Sequence, residues 1–308
     1  MKTRPPRATI SDVAHAARTG KTSVSRYLNG ELHLLSADLK ARIEQAIADL
    51  SYRPSQMARG LKRGRTRLIG LIIADITNPY SVDVMSGIEA ACREQGFTLL
   101  MCNTNNEVDL EQHYLQLLSS YQVEGIVVNA VGMREEVLSH LKQSLLPMVL
   151  IDRKIPDFPC DVVGLNNAEA AETATRHLVD NGYYALLFLS EPLGSVNTRR
   201  ERLQAFRQVM TAYPQVQHEN AELTLQVARS LQRINLHWGS DIGLIGFDEL
   251  EWAALAGVGI TTLKQPTWQI GCSALQRVIA RIEGSDLPIA EQVFSGELIV
   301  RGSSQPLR

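Results

Sequence analysis

Four cysteines in 308 residues, none of them in a CxxC pair, leave no basis for a structural zinc site or a disulfide framework. Cys92, Cys102, Cys160 and Cys272 are expected to be buried, reduced thiols. No apolar run approaches the roughly 18 residues of a membrane span, and the basic residues 1–7 lead into no apolar signal core. A soluble, cytoplasmic chain that makes no membrane contact is the expectation. Glycine is missing where a nicotinamide cofactor would need it, because Ile73-Ala74-Asp75-Ile76-Thr77-Asn78 follows the first strand-like run without the GxGxxG pattern. His113, His140, His177, His218 and His237 show no metal-ligand spacing, and no Ser or Cys occupies a nucleophile elbow. Neither an enzyme nor a cofactor or metal site is expected.

The chain is long enough for two or three domains, and its 44% hydrophobic residues suffice for buried cores. A net charge of -2 conceals an asymmetry, with 14 Lys/Arg against 5 Asp/Glu in residues 1–67 and 17 against 28 in the remainder. A basic head on an acidic body suggests that the head meets a polyanion, although charge alone would also suit a solvated tail.

The head has helical pattern. Thr9 stands as an N-cap, Asp12 lies in the first turn, and Ile10, Val13, Ala14 and Ala17 recur at helical spacing. Arg18-Thr19-Gly20 interrupts; Val24, Tyr27 and Leu28 then share a face until Asn29-Gly30 ends the second helix. A third helix begins at Ser36 and carries the stripe Leu39, Ile43, Ile47, Leu50. In such a helix-turn-helix the second helix enters the major groove, which puts Lys21, Thr22, Ser25 and Arg26 forward as DNA contacts rather than ordinary surface residues. Gly20-Lys21-Thr22 looks like the tail of a phosphate-binding loop, but His15 occupies the position of its first glycine and no strand precedes it.

Thr9-Ile10-Ser11-Asp12-Val13-Ala14, Ser23-Val24-Ser25-Arg26-Tyr27-Leu28-Asn29 and Leu50-Ser51-Tyr52-Arg53-Pro54 together resemble the head of the LacI/GalR family of bacterial transcriptional repressors. The likeness continues through Ile69-Gly70-Leu71, Asn78-Pro79-Tyr80, Glu124-Gly125-Ile126, Ile151-Asp152-Arg153 and Ile245-Gly246-Phe247-Asp248. Residues 21–27, 59–67 and 248–252 look most like the members that respond to 2-ketogluconate. The resemblance implies an all-α helix-turn-helix domain at 1–53, a hinge helix and basic linker at 54–67, and an α/β body at 68–308 with two lobes of the periplasmic-binding-protein type. It implies DNA contacts at Thr9, Ser55, Ala58 and Leu61, with Leu61 wedged between base steps of the minor groove. Eight residues that include Gly60 are too short for a stable isolated helix, so hinge folding would be coupled to DNA and dimer. The family usually has Gly-Val-Ser where this chain has Arg18-Thr19-Gly20, which leaves the second helix without a side-chain cap.

In the body, apolar runs at 68–74, 98–102, 125–128, 148–151, 186–189 and 242–247 read as parallel strands. Helices are expected at 80–95, 110–121, 134–143, 168–181, 198–212 and 221–235. Ligands bind beyond the carboxyl ends of such strands, where Asp75, Asn103, Asn129, Asp152, Glu191 and Asp248 stand; Asn and Asp are also common turn residues. The resemblance points to Tyr80, Ser81, Asn129, Asp152, Arg202 and Asp248 as effector contacts, with Arg202 gripping a sugar-acid carboxylate. Residues 202–248 are too few for the family's full set of elements. The segment around 213–221 reads as shortened, with the strand before the 221–235 helix, and the amide or carboxylate at its end, lost. Only eight residues follow the expected last strand at 294–300, no room for a tetramerising coiled coil. The expected function is therefore a homodimeric repressor on a palindromic operator, released by a small sugar acid such as 2-ketogluconate. Use of the ligand as corepressor, and a sugar-binding protein without regulation, are the alternatives.

Overall fold

A computed structural model describes residues 8–54, 65–130, 132, 146–155, 157–194, 196–222 and 237–306. The expected hinge contacts Ser55, Ala58 and Leu61, the 134–143 helix and residues 223–235 lie outside them. The chain divides into two compact units, Met1–Thr66 and Arg67–Arg308.

In the first unit, α1 (Ile10–Ala16), α2 (Lys21–Leu28) and α3 (Ala37–Asp49) enclose a core of Val13, Ala14, Ala17, Val24, Leu35, Ile43 and Ala46. Local chemistry sets the helix starts. Thr9 and Asp12 form a reciprocal capping box, and Ser36 Oγ accepts from the Leu39 amide. Gly20 caps α2 without a side chain, as the sequence implied. Arg18 adopts a left-handed backbone with φ 49°, which explains why glycine suits that position in relatives of the motif.

The second unit has two lobes. The first is a six-stranded, all-parallel sheet ordered β10-β5-β4-β3-β1-β2. Its strands are β1 (Leu68–Ile73), β2 (Thr98–Asn103), β3 (Gly125–Val128), β4 (Met148–Ile151), β5 (Asp161–Leu165) and β10 (Glu291–Phe294). One face packs on α4 (Pro79–Glu94) and α8 (Thr267–Ile282), and the other on α5 (Val108–Ser120). Helices α4 and α8 approach so closely that a Cβ on Gly87 would collide with the Trp268 carbonyl, and one on Gly271 with that of Val84. Glycine spacing thus brings α8, a helix not expected from the local pattern, back onto the first lobe.

Among the described residues, the second lobe holds α6 (Asn167–Asp180), α7 (Asn197–Thr211) and five strands in two sheets. β6 (Ala185–Ser190) pairs in parallel with β7 (Gln217–Glu222). β9 (Thr261–Lys264) pairs in parallel with β8 (Ile245–Phe247) and antiparallel with β11 (Glu297–Ile299). The chain passes between lobes after β5, after β9 and after β10.

Most expected elements stand within one or two residues of their observed bounds, but three differ. The strand held to be lost before residue 221 is present as β7, in a six-residue register with β6, so Ala221 and Glu222 are strand and not helix. Its sequence, Gln-His-Glu-Asn-Ala-Glu, has no apolar alternation, and only backbone pairing reveals it. The run at 242–247 contributes β8 only from Ile245, with Ile242 in an isolated bridge to Trp238. The run at 294–300 is two strands in different lobes, β10 and β11. Among the described residues, no strand pairs with the second edge of β6 or of β8.

Cys92 is buried and the other cysteines are half-buried, and all four are free thiols. Burial pushes Cys92 and Cys160 up to about 12, so neither is a ready nucleophile.

Candidate functional site

In the head, Lys21, Thr22 and Arg26 project into solvent from one side of α2 and Ser25 is half-buried beside them, its Oγ 3.5 Å from Asn29 Nδ2. Val24, on the opposite side, is fully buried. The first turn of α2 contains no acidic residue, so its positive helix end and Lys21 reinforce one another. Thr9 is exposed, but its hydroxyl donates to Asp12 Oδ2 at 2.7 Å, which gives it a capping role inside the head. Backbone and side-chain hydrogen bonds from Thr9 hold Asp12 below the usual carboxylate range.

In the body, a cavity of about 390 Å³ opens at the carboxyl ends of β1, β3, β4 and β6. Of the expected effector residues, Tyr80, Ser81, Asn129 and Asp152 line it. Asn78 caps α4 by accepting from the Tyr80 amide, which sets the first turn of that helix in the wall. Asp152, at the end of β4, takes a left-handed backbone with φ 64° and donates its amide to the Val163 carbonyl at 3.0 Å. Asp248 repeats this at the end of β8, with φ 72° and a 3.0 Å bond to the Leu263 carbonyl. Both strands thus end on an aspartate in the left-handed region, uncommon for a residue other than glycine.

Asp248 and Arg202 do not line the cavity. Asp248 Oδ1 accepts from Gln265 Nε2 at 2.6 Å, whereas Arg202 donates through Nε to Asn167 Oδ1 at 2.7 Å and lies 4.1 Å above the Phe247 ring. Both still act electrostatically on Asp152, whose pKa is raised by burial first and lowered in turn by Arg202 and Arg153. Asp248 is raised too, again chiefly by burial. Tyr80 is pushed well above its ordinary value by burial, then by Asp152 and Asp248.

Among the other strand-end residues, Asp75 and Glu191 line the cavity, while Asn103 instead accepts from the Ile76 amide at 3.1 Å. Arg153 and Arg199 line it as well and were not singled out from sequence. Arg153 directly follows Asp152, which was signal enough; Arg199 is placed by the first turn of α7 and had none. Three solvent-shielded atoms in this wall, Tyr80 Oη, Asn129 Oδ1 and Arg153 Nε, have no hydrogen-bond partner among the described residues. Shielded polar atoms are normally satisfied, so this convergence marks a site shaped for a polar ligand. Among the described residues, no three His, Cys, Asp or Glu side chains are grouped to hold a metal ion, and no helix is long and apolar enough to cross a membrane.

A basic helix-turn-helix head followed by a two-lobed body with a polar strand-end cavity defines a DNA-binding regulator with a periplasmic-binding-protein-like domain. Sequence profiles agree. Residues 9–55 match bacterial regulatory proteins of the lacI family, 66–224 the periplasmic binding proteins and sugar binding domain of the LacI family, and 216–304 a periplasmic binding protein-like domain. The HTH-type transcriptional regulator PtxS of Pseudomonas aeruginosa is 43% identical, over 97% of this chain and 96% of that protein. The HTH-type transcriptional regulator KdgR of Bacillus subtilis is 34% identical, over 90% of this chain and 91% of its own length. The Lac repressor dimer bound to operator and the anti-inducer ONPF has the same fold, with a TM-score of 0.84, 18% identity, and coverage of 97% of this chain and all of that one. The chain belongs to the LacI family and is a transcriptional regulator. Its alignment with PtxS runs over 329 residues, more than the 308 of this chain, so the relative has residues without a counterpart here.

Proposed function

We propose that this regulator is a cytoplasmic repressor that binds a palindromic operator as a homodimer and leaves it when a small sugar acid of the 2-ketogluconate type enters the body. The exposed face of α2 supports the DNA half: Lys21 and Arg26 suit guanine edges or phosphates, and Thr22 and Ser25 supply hydroxyls. Residues 54–67, with Ser55, Ala58 and Leu61, would complete the contact in the minor groove. Thr9 supports it by capping α1.

The observation that carries the ligand half is the convergence of Tyr80 Oη, Asn129 Oδ1 and Arg153 Nε on one polar cavity. A hydroxyl-rich acid offers both donors and acceptors to these atoms and to Asp152, with Ser81 within the same wall. Asp248 and Arg202 lie outside the cavity lining and act on Asp152 in opposite directions, Arg202 lowering its pKa and Asp248 raising it. A ligand shifts DNA binding only by its different affinity for the bound and released states.

Fluorescence titration of operator and scrambled DNA, with and without 2-ketogluconate, gluconate and glucose, tests both halves. Arg26→Ala should cost about 1–3 kcal/mol of discrimination, whereas Lys62→Ala should weaken both DNAs alike and flatten the salt dependence. Equal losses on both DNAs for Arg26→Ala would remove its reading role. Tighter operator binding with sugar acid would make the ligand a corepressor.

A further inference from the structure

We infer that Arg153 and Arg199, one from each lobe, are the pair that recognises the carboxylate of the ligand. The inference rests on the reading of the cavity as a sugar-acid site. Arg153 extends from the end of β4 in the first lobe. Its Nη1 donates to the Ala130 carbonyl at 3.3 Å, and its shielded Nε, 3.8 Å from Asp152 Oδ2, makes no hydrogen bond among the described residues. Arg199 enters the same cavity from the first turn of α7 in the second lobe. There, Nη1 donates to the Pro192 carbonyl at 2.7 Å and Nη2 pairs with Glu191. The Glu191 side chain is 61% exposed, so that ion pair is screened by water and readily exchanged for a carboxylate entering from the cavity.

Arg202 is placed differently. Its Nε is committed to Asn167 and its guanidinium to the Phe247 face, outside the cavity wall. It therefore serves as a positioning residue. The three guanidinium groups are close enough that burial, followed by repulsion from Arg153 and Arg202, lowers the Arg199 pKa. An anion between Arg153 and Arg199 relieves that repulsion, while Asp152 remains to accept from ligand hydroxyls. Uncharged sugars make the second set of contacts and not the first.

Calorimetry on the full-length protein distinguishes these roles. The wild type should bind gluconate at least tenfold more tightly than glucose. Arg153→Met and Arg199→Met should each bring that ratio towards one by weakening gluconate several-fold more than glucose, and Arg→Lys should restore part of it. Arg202→Met should weaken acid and sugar by the same factor. Unchanged far-UV dichroism and operator binding would show that the variants fold. A ratio preserved in both cavity variants, or lost only in Arg202→Met, would overturn the pair and leave the sugar-acid reading standing. Inorganic phosphate provides the second arm: a wild type that binds phosphate through both arginines but no sugar acid would overturn that reading and keep the pair. Binding of neither anion would overturn both.

Discussion

The two lobes of the body are built from similar strands and finish differently. Every residue of β3 and β5 is buried, whereas no residue of β8 is, and Leu187 in the middle of β6 is 56% exposed. The strand sequences do not foretell this, since Ala-Leu-Leu-Phe-Leu-Ser of β6 is as apolar as a central parallel strand should be. Parallel strands are stable when neighbours pair with both edges and helices cover both faces. The first lobe meets the pairing condition across four interior strands, while in the second only β9 has a partner on both edges among the described residues. Apolar composition therefore records what a strand is suited to, and burial records whether the rest of the fold supplies it.

The comparison can be broken most directly at Asp161. Its side chain is 3% exposed and pairs with Arg281 Nε at 2.7 Å and Arg277 Nη2 at 2.9 Å, pinning α8 to β5. Burial opposes ionisation, but hydrogen bonds from Arg281 and then Arg277 outweigh it and hold the carboxyl below its usual range. Asp161→Asn should cost about 3–5 kcal/mol at neutral pH in urea unfolding, because two arginines lose their partner. A lowered folded pKa stabilises the protein above the unfolded value, and that contribution disappears as pH falls through the folded value. The difference between variant and wild type should thus narrow in acid; a constant difference would dissociate it from ionisation.

Matched leucines sharpen the contrast. Leu71 in β1 is fully buried, and Leu71→Ala should cost about 3 kcal/mol through lost contacts and a cavity. Leu187→Ala should change stability by less than about 0.5 kcal/mol. Comparable losses would mean that the sheets of the second lobe are closed in solution.

Arg18→Gly should stabilise the head by about 1 kcal/mol, since glycine accepts the left-handed backbone without the Cβ clash. Thermal melts of residues 1–66 within the full chain, followed by a probe on the head, would check it, and a loss of stability would show that Arg18 contributes contacts that offset the strain.

The finest effect lies at Asp152. Its raised pKa means that the folded body retains a proton the unfolded chain releases, so stability contributed by this group falls as pH rises above the ordinary aspartate value. Asp152→Asn should flatten that slope and stabilise the free protein at neutral pH, while weakening ligand binding. A steeper slope would contradict the burial argument.

Thr9 with Asp12, Ser36 and Asn29-Gly30 made the head helices legible because caps and stops are local. The first four strands of the body were equally legible, as their apolar runs carry their own boundaries. Tyr80, Ser81, Asn129 and Asp152 were placed on one cavity from residue type and strand-end position together with the family likeness. Arg199 escaped notice because nothing in Asn-Thr-Arg-Arg-Glu-Arg tells which of three arginines turns inward.

Sequence by itself determined the basic head, its three helices, the alternating βα body and the polar strand ends, all of which follow from interactions within a few residues of one another. Tertiary structure decided that the polar segment Gln217–Glu222 is a strand, that α8 returns to the first lobe through Gly87 and Gly271, and that β10 and β11 separate into different lobes. It also decided that Arg153 and Arg199 line the cavity while Arg202 faces Asn167 and Phe247. These outcomes depend on backbone pairing and side-chain direction between residues far apart in the chain, which local pattern does not encode.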